Sequence, residues 1–281
     1  MAELYVGNEF GEVWRDLLGD IIDVGKRSSP RGSETKELLN VSIEVQSAQA
    51  NILVNNSRDL NYRFMIAEWL WIQAGLNDVD ILAQYNSQMR KFSDDGHILS
   101  GAYGPRLMPQ IPYVLESLSK PDSRQAVATI WTPSPTDSRD IPCTISLQWL
   151  LRGGVLHCTA NMRSSDVWLG LPYDFFTFSQ ITNYVAMRMD ADIGSLTMNL
   201  ASSHLYESHY LQADLSYIDS TTTVWSPEIA FDEIVPNSEL ITRMLNHEMT
   251  SLGPLWREYQ EALSHSKSHA LEVLRGIDPS T

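Results

Sequence analysis

Two strand-like runs separated by three residues constrain the fold of this chain more than any other feature. Residues 145–151 and 155–162 are rich in apolar side chains, and Arg152-Gly153-Gly154 joins them. This arrangement is typical of a β-hairpin. Because side chains alternate across a strand, Cys158 is predicted in the core and His157 on the opposite face. The hairpin therefore places β-sheet at the centre of the fold.

Length and charge limit the class of protein. A chain of 281 residues is large enough for one sizeable α/β or α+β domain with a single core. A formal net charge of -15 and a pI near 4.8 argue against a nucleic-acid partner, which requires clustered Lys and Arg. An anionic substrate would then need a local arginine pocket. The absence of a long apolar run or a signal-peptide pattern predicts a soluble protein without a membrane partner. Only two cysteines favour a reducing, cytoplasmic setting.

Hydrophobic periodicity predicts the other elements. Helices are expected over residues 9–24, 62–75 and 179–189, and over a helical tail at about 237–275 that Gly253-Pro254 breaks in two. Strands are expected over residues 38–45, 126–131 and 195–202, and loops over 26–37 and 132–140.

Two residues stand out by their surroundings. Cys143 follows Pro142 at a predicted strand start, where a thiol can face a cavity, although a lone cysteine is more often structural than catalytic. Glu68 lies in an apolar helical stretch, where a carboxylate is costly to bury unless it is neutral or paired. It is therefore at a cavity edge or functional.

The histidines do not predict a metal site. His204 and His209 have no further ligands at suitable spacing, and His265 and His269 are four residues apart on what is expected to be an exposed helix face.

The segment that begins at Pro142 resembles the catalytic core of the thymidylate synthase superfamily. The family pattern is Pro-Cys, then Gln, then Arg-Ser-x-Asp, then Gly-x-Pro-aromatic-Asn. The matching residues are Pro142-Cys143, Gln148, Arg163-Ser164-Ser165-Asp166, and Gly170-Leu171-Pro172-Tyr173 followed by Asp174 in place of Asn. Two departures, Cys143-Thr144 and Asn161-Met162 before Arg163, are similar to the pyrimidine nucleotide hydroxymethylase branch.

The resemblance implies an α+β fold and a homodimer. One catalytic domain over residues 1–281 is expected, with a mixed β-sheet, flanking helices and a sheet face that forms the dimer interface. In the active site, Cys143 is expected to be the nucleophile and Tyr103 of Tyr103-Gly104 to lie near it. Glu68, in a segment similar to the family's Glu-Leu-Leu-Trp, is expected to organise proton transfer, and Asp174 to contact the base.

The resemblance also divides the binding residues by ligand group. The phosphate of a pyrimidine nucleoside monophosphate is assigned to Arg31, Arg163, Ser164 and, across the dimer interface, Arg124, whereas Gln125 departs from the family's second arginine. His204 and Tyr206 are assigned to the sugar, and Gln148 to the substrate. The resemblance implies that Asp166, Gly170 and Tyr173 bind 5,10-methylenetetrahydrofolate.

These roles predict 5-hydroxymethylation of cytidylate or deoxycytidylate. The carboxyl of Asp174 can accept a hydrogen bond from the cytosine amino group and share a proton with N3. Pro105-Arg106-Leu107 replaces the family's tryptophans, and residues 276–281 do not resemble its apolar tail, which favours water over hydride at the transferred carbon. Two alternatives stay open: a thymidylate synthase that methylates deoxyuridylate, and a catalytically silent relative that binds nucleotides or partners.

Overall fold

The computed structural model describes residues 3–133, 137–227, 229, 235–248 and 252–276. The strands formed by these residues are β1 (Glu3–Gly7), β2 (Lys26–Ser28), β3 (Thr35–Val45), β4 (Ile52–Asn55), β5 (Val127–Thr129), β6 (Thr144–Arg152), β7 (Val155–Met162), β8 (Ser165–Asp166), β9 (Asp192–Tyr206) and β10 (Thr221–Val224). The α-helices are α1 (Phe10–Val24), α2 (Tyr62–Gln73), α3 (Val79–Ala83), α4 (Gly104–Leu107), α5 (Ile111–Leu118), α6 (Leu171–Met189), α7 (Tyr210–Ile218), α8 (Ser238–Leu245), α9 (Pro254–Ser264) and α10 (Lys267–Gly276).

Eight of these strands form one mixed sheet. Its order is β1-β3-β9-β7-β6-β5, with β2 beside β3 and β8 beside β9. The pairs β1–β3, β7–β9 and β8–β9 are parallel, and the remaining pairs of this sheet are antiparallel. A separate antiparallel pair joins β4 and β10. A mixed sheet with flanking helices in one domain confirms the predicted fold class.

The predicted hairpin is confirmed as β6 and β7, between β9 and the edge strand β5. Arg152 is paired with Val155, so Gly153 and Gly154 alone make the turn, with φ of 58° and 85°. Both values lie in the left-handed region that glycine adopts without strain. Cys158 is buried and His157 is only partly buried, as strand alternation predicts.

Two tryptophans attach helices to the buried face of the sheet layer. Trp14 of α1 donates its indole N–H to the Val167 carbonyl at 2.8 Å, and Trp149 of β6 donates to Thr182 Oγ1 of α6 at 3.2 Å. Phe10 also stacks on Phe175 with ring centroids 4.2 Å apart. These contacts fix the start of α6 relative to the sheet.

An aromatic cluster fixes α2 in the same layer. The ring of Trp69 lies 6.0 Å from that of Phe176 in α6, 6.0 Å from Trp256 and 5.0 Å from Tyr259 in α9. Aromatic pairs of this kind contribute about 0.5–1.5 kcal/mol each beyond their burial. Because Glu68 precedes Trp69, the cluster also sets the position of that carboxyl.

The opposite face of the sheet carries a ladder of polar side chains. Ser42 donates to Asn199 at 2.9 Å, Asn199 to Asn161 at 3.1 Å, and Asn161 to Ser146 at 3.2 Å. All four residues are at least partly exposed within this chain. The ladder links β3, β9, β7 and β6 through their side chains. This face of the sheet remains accessible to solvent within one chain.

Several predicted boundaries differ from the structure: β9 spans Asp192–Tyr206 where 195–202 was predicted, β5 spans Val127–Thr129 where 126–131 was predicted, and three further differences have a physical reason. The loop expected over residues 26–37 contains β2 and the start of β3, because Lys26–Ser28 pairs antiparallel with Thr35, Lys36 and Glu37. Helix α6 starts at Leu171, eight residues before the predicted start, because Pro172 suits a first helical turn. The tail has a second break at His265-Ser266.

Some sequence expectations concern residues outside this description. Residues 134–136 of the predicted loop, residues 249–251 of the predicted helical tail and residues 277–281 lie outside the described residues. Within the described part of the chain, no helix is both long and apolar enough to cross a bilayer.

Candidate active site

Cys143 lies half-buried immediately before β6, with its sulfur as a free thiol. Arg163 holds this segment through three hydrogen bonds. Its backbone N–H donates to the Cys143 carbonyl at 2.9 Å, and its guanidinium donates to the carbonyls of Pro142 at 2.9 Å and Ile141 at 3.0 Å. These hydrogen bonds hold Arg163, the predicted phosphate ligand, next to Cys143, the predicted nucleophile.

The charges around Cys143 oppose one another. Burial raises the pKa of the Cys143 thiol, Arg163 and Arg31 lower it, and Asp174 and Asp140 raise it. Because burial dominates, the net pKa is raised and the resting thiol is protonated. The thiolate therefore has to form at the time of reaction, and neutralising either carboxylate would favour it.

Arg31 lies in the turn Pro30–Gly32 between β2 and β3. It is exposed, and its φ of 55° places a non-glycine residue in the left-handed region. Burial raises the pKa of both Cys143 and Tyr206, and the charge of Arg31 partly opposes that rise. The turn thus brings an exposed cation near Cys143, and the role of Arg31 as a phosphate ligand stays a prediction.

The start of α6 presents carboxyl groups to the site. Asp166 accepts hydrogen bonds from the backbone N–H groups of Trp168 and Leu169, both at 2.8 Å, and Gly170 caps the helix. A Cβ on Gly170 would lie 3.5 Å from the carboxyl of Asp174, an ordinary van der Waals contact, so this residue directly adjoins that carboxyl. The segment from β8 to the first turn of α6 therefore carries three predicted site residues, Asp166, Gly170 and Asp174.

Glu68 and Asp174 form a pair of carboxyl groups with perturbed protonation. Burial, and next the charge of Asp174, raise the pKa of Glu68 to about 8. Burial, and next the charge of Asp166, raise the pKa of Asp174 to about 7. Near neutral pH both groups hold a proton for much of the time, so each can donate as well as accept a hydrogen bond.

A cavity of about 150 Å³ lies against this pair. Its apolar wall includes Trp71, Ile72, Leu82, Met89 and Leu99. Its polar wall is formed by Glu68, Tyr103, Asp140, Asp174 and Thr177. Such a wall suits a flat heteroaromatic ring with N–H groups at one edge.

Tyr103 stays protonated in this cavity. Burial and the charges of Asp174 and Cys143 raise its pKa well above the usual range, and Thr144 lowers it to a lesser extent. The phenol is therefore a hydrogen-bond donor beside the sulfur.

The predicted sugar ligands lie next to Ser164. His204 Nδ1 is 3.4 Å from the Ser164 hydroxyl, and the rings of His204 and Tyr206 meet edge to face at 5.2 Å. Burial lowers the pKa of His204, and Asp166 opposes this shift. His204 thus presents an uncharged imidazole next to two hydroxyl groups.

Gln148 and Arg124 lie together at a different place from Cys143. The Gln148 amide donates to the Arg124 carbonyl at 3.2 Å on the exposed side of β6. The Arg124 side chain is exposed, without a hydrogen bond or ion pair to any residue in the described ranges. A cavity of about 280 Å³ beside it, lined by residues 118–123 and Leu151, contains none of the predicted site residues. Within one chain, neither side chain joins the Cys143 cluster.

The tyrosine assigned to the cofactor pairs with an arginine that the sequence did not reveal. The Tyr173 hydroxyl accepts from the Asn61 backbone N–H at 3.1 Å. The Arg58 guanidinium carbon lies 5.8 Å from the Tyr173 ring centroid and 5.0 Å from that of Trp168, and Arg58 Nε donates to the Trp168 carbonyl at 2.7 Å. Burial lowers the pKa of Arg58. Arg58 follows a polar turn without periodicity, so no sequence signal pointed to it.

Asp140 is the second site residue that sequence reasoning missed. It accepts from the Gly101 N–H at 2.7 Å and lines the cavity, although its position had been assigned only to a surface loop. Its proximity to Pro142-Cys143 in the sequence was the available signal.

Comparison with known proteins agrees with this geometry. The sequence profile described as thymidylate synthase matches residues 12–241. This chain belongs to the thymidylate synthase family. The match includes every predicted site residue from Arg31 to Tyr206.

One relative of this thymidylate synthase family member is a hydroxymethyltransferase. The deoxyuridylate hydroxymethyltransferase of Bacillus phage SP01 is 32% identical over 227 residues, which cover 73% of this chain and 59% of the relative. The chain thus spans less than two thirds of that relative's length.

Proposed function

We propose that this protein transfers a one-carbon unit to C5 of a cytidylate and that water completes the reaction. The balanced reaction converts cytidylate or deoxycytidylate, methylenetetrahydrofolate and water to the 5-hydroxymethyl nucleotide and tetrahydrofolate. The observation that carries the proposal is the carboxyl of Asp174, which lines the same cavity as Glu68 and influences Cys143 electrostatically.

Asp174 supports cytosine as the base. Cytosine presents an amino donor at C4 and an acceptor at N3, and a protonated carboxyl offers the matching acceptor and donor. With its pKa raised to about 7, Asp174 has that form available near neutral pH. The phage relative is named for deoxyuridylate, so the base is the part of the proposal that most needs a test.

Cys143 would add to C6 of the base as a thiolate. Arg163 and Arg31 lower its pKa, and a protonated Asp174 no longer contributes the negative charge that raises it. Proton sharing between Asp174 and N3 would thus favour both thiolate formation and attack on the ring. The same two arginines, with Ser164, would bind the phosphate, and His204 with Tyr206 the sugar.

The cavity fits the pterin portion of the folate donor. Thr177 Oγ1 is buried in the cavity wall without a hydrogen-bond partner, next to carboxyl groups and an apolar surface. Asp166, Gly170 and Tyr173 would hold this donor at the start of α6. When bound, methylenetetrahydrofolate supplies the one-carbon unit.

The segment after Tyr103-Gly104 supports water as the final nucleophile. Arg106 stands in the stretch where family members carry tryptophans, and its guanidinium donates to the carbonyls of Ile130 at 2.9 Å and Ser100 at 2.7 Å. A hydrogen-bonded arginine makes this short helix, α4, polar at that position, whereas tryptophan would exclude water. The name of the phage relative agrees with a hydroxymethyl product.

Product analysis tests the reaction directly. The full chain is supplied with equimolar cytidylate, deoxycytidylate and deoxyuridylate together with the folate donor, and products are identified by mass. We expect a 5-hydroxymethylcytidylate to dominate, without dihydrofolate. Predominant hydroxymethyldeoxyuridylate would overturn the choice of base, and thymidylate with stoichiometric dihydrofolate would establish the alternative, a thymidylate synthase. Specific nucleotide binding without any product would favour the silent relative.

We also propose a homodimer in which Arg124 completes the partner's phosphate site. The exposed polar face of the sheet and the position of Arg124 at its edge support this arrangement. Mixing Arg124→Ala with Cys143→Ala chains under subunit exchange should restore about a quarter of wild-type activity, because half of the dimers are mixed and each has one intact site. The control pairs Arg124→Ala with the Arg124→Ala/Cys143→Ala double variant, which should restore nothing. A fully active monomer in sedimentation experiments would contradict the proposal.

A further inference from the structure

The corner between α9 and α10 brings together three potential metal ligands. Glu261 lies in the last turns of α9, His265 follows its end, and His269 lies in the first turn of α10. One ligand atom from each lies within 4.8 Å of the others. On a single continuous helix, Glu261 and His269 would be about 12 Å apart along the axis at about 1.5 Å per residue. The break between the helices creates this cluster.

The distances within the cluster fit a tetrahedral ion. His269 Nε2 is 3.3 Å from Glu261 Oε1, and the rings of His265 and His269 have centroids 4.5 Å apart at 71°. Two ligands bound to one tetrahedral zinc at about 2.0–2.1 Å lie about 3.3–3.4 Å apart. The observed spacing is long for a hydrogen bond and suitable for two neighbouring ligands.

A second carboxylate is placed to orient His269. Glu272 Oε2 lies 3.7 Å from Nδ1, the ring nitrogen that does not face Glu261. Metal-binding histidines commonly direct their other N–H to a carboxylate, which fixes the tautomer and the ring. Glu261 on the Nε2 side of His269 is placed as a fellow metal ligand, and Glu272 on the Nδ1 side is placed to orient the ring.

We infer that Glu261, His265 and His269 form a binding site for a divalent transition-metal ion such as Zn²⁺, with Glu272 as a positioning residue. Two imidazoles and one carboxylate favour zinc-like ions over Mg²⁺ or Ca²⁺, which prefer all-oxygen ligands. Water completes the coordination at this exposed corner. The site is separate from Cys143 and does not depend on the proposed transferase reaction.

The site would stabilise the helical layer behind the active site. Trp256 and Tyr259 of α9 pack on Trp69 of α2, and Arg63 of α2 donates to the Leu263 carbonyl at 3.0 and 2.8 Å. Because α9 packs on α2, an ion that joins α9 to α10 would also stabilise the contacts between α9 and α2. Because the ion binds the folded corner, it should raise the melting temperature.

Calorimetric titration with ZnCl₂ tests the inference. The full-length chain is prepared without a histidine tag, treated with chelator, and used as Cys143→Ser so that the active-site thiol does not bind zinc. We expect one ion per chain at the corner and a rise in melting temperature. His269→Ala and His265→Ala should each weaken binding at least about tenfold and remove the thermal shift, and Glu272→Gln should weaken it about tenfold. The matched control is His97→Ala, an exposed histidine elsewhere, which should change neither measurement.

Several results would overturn the site. The first is that the chain takes up no zinc. The second is that zinc uptake is unchanged in both His265→Ala and His269→Ala. The third is that Mg²⁺ or Ca²⁺ binds as tightly as Zn²⁺, because such binding would indicate an acidic surface only. Circular dichroism of each variant checks the fold, and the two histidine variants provide independent measurements.

Discussion

Turnover should fall by about 10⁴-fold or more in Cys143→Ser, because a hydroxyl in the same position ionises far less readily than a thiol. The sulfur of Cys143 is the proposed nucleophile, and the charges of Arg163, Asp174 and Arg31 act on it. Nucleotide affinity should change by less than about threefold, because the proposed binding contacts come from arginines, Ser164 and His204. Single-turnover product formation and calorimetric nucleotide binding measure the two effects separately.

The second cysteine offers a matched control. Cys158 is fully buried on the core face of β7, and burial raises its pKa to about 12. Cys158→Ala should therefore cost stability, about 1 kcal/mol for the small cavity, while activity is retained. In the presence of the folate donor, a 5-fluorinated nucleotide should form a covalent adduct with wild type and with Cys158→Ala, seen as an increase in protein mass. It should form no adduct with Cys143→Ser. Substantial turnover in Cys143→Ser would refute the nucleophile assignment.

The sequence predicts best those elements whose local pattern and tertiary environment agree. The hairpin of β6 and β7 has alternating apolar residues and two glycines at its turn, and the structure confirms both. Helix α1 has a continuous apolar stripe and is confirmed to within one residue of its predicted start. Strand β2 was missed because its three polar residues depend on pairing with β3, which no local pattern encodes.

The candidate site was predictable where a motif identified the residues, and unpredictable where burial decides the chemistry. Cys143, Arg163 and Asp174 follow from family motifs, whereas the contribution of Asp140 depends on how its loop folds over Gly101. The sequence suggested a thiol activated by positive charge. The structure adds burial and two carboxylates, which together raise the pKa of Cys143.

The base preference should reverse in Asp174→Asn. An amide presents a fixed donor and acceptor that suit uracil, and a buried polar mismatch costs about 1–3 kcal/mol, or roughly 5- to 150-fold in kcat/KM for each base. Competition between cytidylate and the matching uridylate measures the ratio. Glu68→Gln is the matched control, since it removes a carboxyl from the same cavity without changing the base contact. It should slow both substrates alike.

The same ratio should depend on pH in the wild type. The pKa of Asp174 is raised to about 7, so the protonated carboxyl that pairs with cytosine predominates below that pH and is lost above it. Ionised Asp174 retains only acceptors, which still suit the N3–H of uracil. The cytidylate-to-uridylate ratio of kcat/KM should therefore fall as pH rises from about 6 to about 8, approaching tenfold per unit above the pKa.

The cytidylate-to-uridylate ratio of kcat/KM is insensitive to ionisable groups that affect both substrates equally. Ionisation of Cys143 and Glu68 affects both substrates in the same enzyme and cancels, whereas the proton on Asp174 distinguishes the two bases. In Asp174→Asn the ratio should not vary with pH over this range, because an amide does not titrate. If the cytidylate-to-uridylate ratio of kcat/KM does not depend on pH in the wild type, Asp174 does not select the base through a shared proton. This conclusion would hold even if cytidylate is the preferred substrate.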